Sequence, residues 1–146
     1  MKGDSAHPTG VRLRAAVPAF LVADVDATAR WYAEELGFRT AGIFPPEPPA
    51  AWASLQRDGA EIMLQRLPGY EKPDLYDRRP GGVWHAYIRM TGVRRLYESV
   101  RDRPFIKMTL RRQPYGDWEF EVTDPNGYVL VFGGDETVRG DGAGEV

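Results

Sequence analysis

Apolar and polar positions follow the same order of periods twice along the chain. In the first half, an apolar stretch at 17–22 predicts a β-strand. Asp24 can cap the helix that follows, because an apolar stripe at helical spacing comes after it: Val25, Ala29, Tyr32 and Leu36. Three further strands are predicted, with the hairpin turn Asp58-Gly59 between the last two: 38–44, 51–57 and 60–66.

The second half has the same pattern. A strand is predicted at 83–90, followed by a helix that Thr91 can cap and whose apolar stripe is Val93, Leu96, Tyr97 and Val100. Three strands follow, and a turn at 124–127 separates the last two: 105–112, 118–123 and 128–132. A shift of 68 residues superimposes the halves and places Val17 on His85, Val25 on Val93, and Gly59 on Gly127.

This internal repeat predicts an α+β fold of two paired βαβββ modules that form a cup-shaped mixed sheet with the helices outside. The modules are expected at 15–66 and 83–133, joined by a Pro- and Gly-rich linker at 67–82, as a single domain over 15–133. The stretches 1–14 and 134–146 have few apolar groups in any period, so a flexible arm and a flexible tail are expected there.

Alternation along strand 83–90 assigns its side chains to two faces. The helix side would hold Trp84, Ala86, Ile88 and Met90, and the concave side would hold His85, Tyr87 and Arg89. The 68-residue shift also sends Trp52 to the helix side. A polar strand face is either a cavity wall or the exposed face of an antiparallel sheet, and the repeat favours the cavity. Glu121 is expected opposite Val131, although Glu119 and Glu121 together also fit an exposed strand face.

Composition narrows the function classes. The 146 residues contain no cysteine, which excludes disulfides and cysteine nucleophiles. Apolar runs are shorter than the roughly 18 residues of a membrane span, so no membrane partner is expected. A net charge of −2 implies no basic face, so no nucleic acid partner is expected. The N-terminus lacks an apolar leader, which favours a cytoplasmic location.

Three segments carry a family resemblance: PAFLVADVDATARWYAEELGF, DGAEIMLQ and YGDWEFEVTDPNGYVLVFG. With them the chain resembles the vicinal oxygen chelate superfamily over about residues 16–133. That superfamily includes glyoxalase I, extradiol dioxygenases and bleomycin-resistance proteins. The resemblance implies paired βαβββ modules around a cup, usually in a homodimer. It is nearest to the metal-free bleomycin-resistance-like group.

The resemblance also locates four metal-ligand positions of the enzymes, which fall here on Val17, Met63, His85 and Val131. Three of these positions are apolar, and one imidazole cannot assemble the several nitrogen or oxygen ligands that a transition metal needs. No metal and no cofactor are therefore expected.

The resemblance and the aromatic residues together suggest a metal-free small-molecule-binding protein that sequesters an aromatic or drug-like ligand in the cup. The expected ligand-binding residues are His85, Tyr87, Met63, Glu121, Arg89, Tyr115 and Trp118. Three alternatives stay open. The protein could be a lyase, isomerase or dioxygenase that uses His85, it could be an interaction module whose cup is filled by side chains, or His85 could be a wall residue bonded to a neighbouring strand.

Overall fold

The first half of the chain folds into a strand, a helix and three strands. The computed structural model describes residues 7–135, and in it β1 spans Ala19–Val22 and α1 spans Val25–Leu36. The Asp24 side chain caps α1 as predicted, because it accepts a hydrogen bond of 2.9 Å from the amide three residues on. Gly37 ends the helix with a φ of 73°, which glycine adopts without steric cost. The other strands of this half are β2, Arg39–Phe44, β3, Trp52–Arg57, and β4, Ala60–Arg66.

The second half repeats this order with a shorter helix. Its elements are β5, Ala86–Arg89, α2, Val93–Val100, β6, Ile106–Arg112, β7, Trp118–Thr123, and β8, Val129–Gly134. The predicted cap at Thr91 is wrong: Gly92, with a φ of 78°, is the residue that precedes the first turn, so Thr91 lies one position too early to cap it. The linker between the halves contains a short 3₁₀ turn at Tyr76–Arg78.

Each half forms its own four-stranded sheet. Sheet 1 has the order β1-β4-β3-β2 and sheet 2 has the order β5-β8-β7-β6. In each sheet the first strand runs parallel to the last, and the two remaining pairs are antiparallel. The predicted α+β fold of two βαβββ modules is therefore confirmed. Module 1 is the half with sheet 1 and α1, and module 2 is the half with sheet 2 and α2.

One face of each sheet is covered by its helix and forms the core. The predicted α1 stripe is buried, and it packs in one cluster with alternate residues of the strands, among them Phe20, Leu55, Leu64, Phe120 and Leu130. The residues between them along each strand lie on the opposite face, which we call the open face. Trp52 lies on the open face of sheet 1, because Ala53 and Leu55 take the helix side, so its expected position is wrong.

The turn between β7 and β8 joins the two modules. The Tyr32 hydroxyl of α1 donates a buried hydrogen bond of 2.7 Å to Asp124 Oδ2. The Tyr128 ring stacks on Phe20 of β1, with ring centroids 4.2 Å apart. Its hydroxyl donates to the Leu21 carbonyl at 2.7 Å and accepts the Leu21 amide at 3.1 Å. The turn residues of the DPNGY segment thus fasten module 2 to the edge strand of module 1.

The ends of the chain are described only in part. Residues 1–6 of the expected arm and 136–146 of the expected tail lie outside the described residues. From 7 to 18 the chain has no helix or strand. No helix within 7–135 is long and apolar enough to cross a membrane.

Candidate functional site

Two glutamates lie on the open face of sheet 2. Alternation in β7 turns Phe120 and Val122 toward the core and leaves Glu119 and Glu121 on the other face, each only 3% exposed. Glu121 pairs with Val131, which confirms the predicted register. This register arises because the Asp124 amide bonds the Tyr128 carbonyl and leaves three residues in the loop. Carboxylates buried this far require hydrogen-bond donors.

Two tyrosines donate to Glu119. The Tyr87 hydroxyl of β5 lies 2.6 Å from Glu119 Oε2, and the Tyr115 hydroxyl lies 2.5 Å from the same oxygen. Burial, and then the hydrogen bond to Glu119, raises the pKa of Tyr115 to about 12 and the pKa of Tyr87 well above its usual range. Both phenols therefore stay protonated at neutral pH and remain donors to the carboxylate.

Glu121 receives its donors from the linker and from the segment just before β5. The Tyr76 hydroxyl lies 2.5 Å from Glu121 Oε1, and the Trp84 indole Nε1 lies 3.2 Å from Oε2. Burial, and then the bond to Glu121, raises the pKa of Tyr76 to about 12. Within the linker the Tyr76 ring lies directly against Gly82, because a Cβ atom on this glycine would lie 2.4 Å from Tyr76 Cζ. The expectation that Trp84 faces the helix is wrong, because β5 begins only at Ala86 and strand alternation does not extend back to residue 84.

These six residues form one layered site, which we call the aromatic–carboxylate cluster: Glu119, Glu121, Tyr76, Trp84, Tyr87 and Tyr115. The carboxylates are the buried layer, whereas Trp84 is 42% and Tyr115 is 62% exposed. Two of the rings already carry cations, since Lys107 Nζ lies 4.3 Å from the Tyr76 centroid and Arg89 Cζ lies 5.2 Å from the Tyr87 centroid. Exposed rings over buried carboxylates present an electron-rich surface to solvent.

The structure brings together only some of the predicted ligand-binding residues. Tyr87, Tyr115 and Glu121 belong to the cluster, and Arg89 lies over it. Trp118 lies outside the cluster: it shares the helix side of β7 with Phe120, packs against the core and has Arg94 over its ring at 4.6 Å.

Sequence reasoning missed two donors of the cluster, Tyr76 and Trp84. Tyr76 belongs to a linker without any period that would assign its direction. The nearby Gly81-Gly82 pair was the available signal, because glycines in a linker often mark a close approach of another group.

His85 is bonded to the neighbouring strand. Its Nδ1 accepts the Val129 amide at 2.9 Å, and its ring meets the Tyr128 ring edge-on with centroids 5.1 Å apart. Burial, followed by the positive charge of Lys72, lowers the pKa of His85 below its usual value of 6.5. Because Nδ1 accepts a hydrogen bond, the ring proton lies on Nε2. This geometry agrees with the interpretation of His85 as a wall residue and does not favour a general base.

His85 and Tyr87 also border a groove of about 1270 Å³ between the modules. Met63 and Glu121 do not line it, so the expectation that all four residues share one cavity is wrong. Met63 lies on the open face of sheet 1, paired with Ala19. Glu121 is separated from β5 by β8 and is covered by the linker.

The residues at the metal-ligand positions of the resembled enzymes do not fit a metal ion. Val17 and Val131 offer only hydrocarbon, and Met63 offers a weak thioether acceptor. His85 uses Nδ1 for the Val129 amide. Within 7–135, no three His, Asp or Glu side chains form a group that could hold a metal.

Residues 14–132 match the sequence profile of the Glyoxalase/Bleomycin resistance protein/Dioxygenase superfamily. The chain belongs to this superfamily. The match spans both modules, and it confirms the resemblance to the vicinal oxygen chelate superfamily. No curated protein sequence matches the chain significantly.

Several solved structures share the fold of this chain. A glyoxalase-related enzyme from Clostridium phytofermentans is 17% identical with a TM-score of 0.67, covering 88% of this chain and 99% of its own. TioX from Micromonospora sp. ML1 is 21% identical with a TM-score of 0.62, covering 80% and 94%. The bleomycin-binding protein from Streptomyces verticillus, solved with copper(II)-bleomycin, is 23% identical with a TM-score of 0.57, covering 84% and 96%. At these identities the likeness concerns the fold.

Proposed function

We propose that this superfamily member binds a small cationic aromatic molecule on the aromatic–carboxylate cluster and holds it without chemical conversion. The observation that carries the proposal is the layering of the cluster, with Glu119 and Glu121 buried beneath the exposed rings of Trp84 and Tyr115. Stacking on the rings would hold a planar ligand, and the carboxylates behind them favour positive charge. Each carboxylate also accepts two hydrogen bonds, so the buried glutamates are fully paired and are not a packing defect of the core. This favours a binding role for the cluster.

The protein's own cations support a cationic ligand. Lys107 lies over Tyr76, and Arg89 lies over Tyr87 with its guanidinium 3.8 Å from Asp117. Both side chains are exposed, so a ligand cation can replace them at the ring faces at modest cost. A cationic ligand would therefore displace Lys107 and Arg89 from the faces of the Tyr76 and Tyr87 rings.

The surroundings of His85 favour binding over the alternative of a lyase, isomerase or dioxygenase. Its Nδ1 is an acceptor for Val129, and a second ring proton would break that bond. Val17, Met63 and Val131 supply no metal ligand that could take over the chemistry. Bleomycin is the first compound to test, because a structural neighbour of the same superfamily was solved with its copper complex.

The binding test uses metal-free bleomycin and N-methylquinolinium, with calorimetry and tryptophan fluorescence as readouts. We expect Trp84→Leu and Glu121→Gln each to weaken binding about tenfold or more, because one removes a stacking surface and the other a negative charge. Trp52→Leu is the matched control, since Trp52 lies on the open face of sheet 1 and should leave binding unchanged. Neutral quinoline should bind more weakly than its methylated cation. Equal binding by both compounds, or no effect of either cluster variant, would contradict the proposal.

Metal content tests the proposal that the protein binds its ligand without metal-dependent chemistry. The purified chain, dialysed without chelator, is expected to carry far less than one transition metal ion per chain, because three of the four ligand positions are apolar. Elemental analysis measures this directly. About one metal per chain that disappears in His85→Ala would contradict the expectation.

A further inference from the structure

The groove between the modules has an internal counterpart elsewhere in the molecule. One border of the groove is the β3–β4 hairpin with Ala60, and the other is formed by β5 and α2 with Ile88 and Leu96. The 68-residue repeat places Ala60 on Tyr128, Ile88 on Phe20, and Leu96 on Thr28. The groove is thus equivalent to the junction that the β7–β8 turn makes with β1 and α1.

The two equivalent places differ in what fills them. At the junction the Tyr128 ring stacks on Phe20, with an angle of 1° between the ring planes, and Asn126 Nδ2 donates to Thr28 Oγ1 at 3.0 Å. At the groove the residue equivalent to Tyr128 is alanine. Asp58, the equivalent of Asn126, points to solvent with Arg57 at 3.9 Å. The groove therefore has the same surroundings as the junction but lacks the phenol ring that fills the junction. We call this empty position next to Ala60 the socket.

The backbone in the groove offers the hydrogen bonds that the junction uses. β1 and β5 each form one edge of their sheet, and Arg89 is the repeat equivalent of Leu21. The Met90 amide bonds the Gly133 carbonyl of β8. Since alternate residues of an edge strand bond the neighbour in a parallel pair, the Arg89 amide and carbonyl are directed away from β8. Leu21 presents the same two groups to the Tyr128 hydroxyl.

One arginine of the groove favours an anion next to this socket. Three arginines line the groove together with Asp58 and Glu61. Arg57 pairs with Asp58 and Arg89 pairs with Asp117, so Arg95 is the guanidinium that a ligand would use. Glu61 already accepts a hydrogen bond of 2.7 Å from Ser54. Guanidinium groups beside an apolar floor are suited to bind the carboxylate of a ligand whose remainder is apolar.

We propose that this groove is a second ligand site, for a small molecule that carries both a phenol ring and a carboxylate. The ring lies on Ile88, the hydroxyl bonds the Arg89 amide and carbonyl, and the carboxylate pairs with Arg95. This ligand is an anion, whereas the aromatic–carboxylate cluster is proposed to take a cation, so the two sites can be tested separately.

The test measures binding of 3-(4-hydroxyphenyl)propionate and of p-cresol by NMR titration of the full chain. We expect shifts of the Ile88 and Met90 methyl signals, and tighter binding of the propionate. Ala60→Tyr, which places in the groove the ring that module 2 carries at this point of the repeat, should weaken binding of both compounds about tenfold or more. Arg95→Gln should weaken only the propionate. Trp84→Leu is the control and should change neither.

Three outcomes would overturn the proposal: shifts confined to the Trp84 and Tyr115 signals, unchanged binding in Ala60→Tyr, or a dimer that Ala60→Tyr converts to a monomer. The last outcome would mean that a second copy of the chain fills the groove. If Ala60→Tyr does not fold, as judged by thermal melting, Ala60→Met fills the same space with an unbranched side chain and should also weaken binding.

Discussion

The His85 imidazole accepts its hydrogen bond from a backbone amide, and this fixes the charge state in which the bond can form. Nδ1 accepts only when it carries no proton, so protonation of the ring would leave the Val129 amide without its partner. Burial and Lys72 lower the pKa of His85, so folding favours the neutral ring. A residue that the sequence marks as a candidate base is thus part of the strand pairing.

Stability should therefore depend on the charge of His85. Above about pH 6.5 the ring is neutral in both states and its contribution to the free energy of unfolding is fully present. As the pH falls from there through the lowered folded pKa, the unfolded chain binds the proton first and that contribution is lost. In His85→Asn the side-chain oxygen can still accept the Val129 amide but does not titrate. Urea denaturation at about pH 7.5 and about pH 5.5 measures the free energy of unfolding of both proteins. Relative to His85→Asn, the wild type should be less stable at the lower pH than at the higher pH. A difference between the two proteins that is independent of pH would contradict this prediction.

The loops of the two β-hairpins differ in length by one residue. Because of that difference, residues at non-equivalent positions of the 68-residue repeat occupy the open faces of β3 and β7. Arg57 pairs directly with Ala60 in the first hairpin, whereas three residues lie inside the Asp124–Tyr128 pair in the second. β4 and β8 therefore correspond at a shift of 68 residues, but β3 and β7 correspond at 67. Trp52 is consequently the counterpart of Glu119 and lies on the open face. A one-residue change of register moves a side chain to the opposite face of a sheet.

Tyr128→Phe tests the junction made by the second hairpin. The variant keeps the ring on Phe20 but leaves the Leu21 amide and carbonyl without the hydroxyl, which should lower the free energy of unfolding by about 1–3 kcal/mol. Tyr97→Phe is the matched control, because the Tyr97 ring packs on Phe120 and it should change stability little. Urea denaturation of the three proteins measures both effects. Equal stability of Tyr128→Phe and Tyr97→Phe would show that the hydroxyl does not fasten the modules.

At the scale of the whole molecule, both modules expose strand edges and apolar side chains that a second copy of the chain could cover. Each sheet has two edge strands and an open face, and Val11 and Leu13 are 65% and 93% exposed. Free strand edges and exposed apolar side chains favour association. Members of the superfamily that the sequence resembles usually pair.

We therefore expect the protein to be a homodimer. Sedimentation at micromolar concentration should give twice the 16.4 kDa mass of the chain, and dilution should shift the value toward the monomer. A mass of one chain across the whole concentration range would contradict this prediction.

The sequence by itself determined the elements, their order and the internal repeat. Strand alternation, the helix-capping Asp24 and the Asp58-Gly59 turn act over a few residues, so their signals survive without knowledge of the fold. The same local rules placed Tyr87 and Glu121 on the open face of sheet 2, because both lie inside regular strands.

Only the tertiary structure decided which groups meet across the chain. Tyr76 reaches Glu121 from a linker without a period, and Trp84 reaches it from the segment just before β5. Tyr32 reaches Asp124 across 92 positions of sequence. Such contacts follow from how the modules pack and from which buried carboxylates need donors, and neither is encoded in local periodicity. The groove beside Ala60 has the same origin. It exists because one hairpin carries a methyl group where its repeat carries a phenol, and only packing reveals the difference as space.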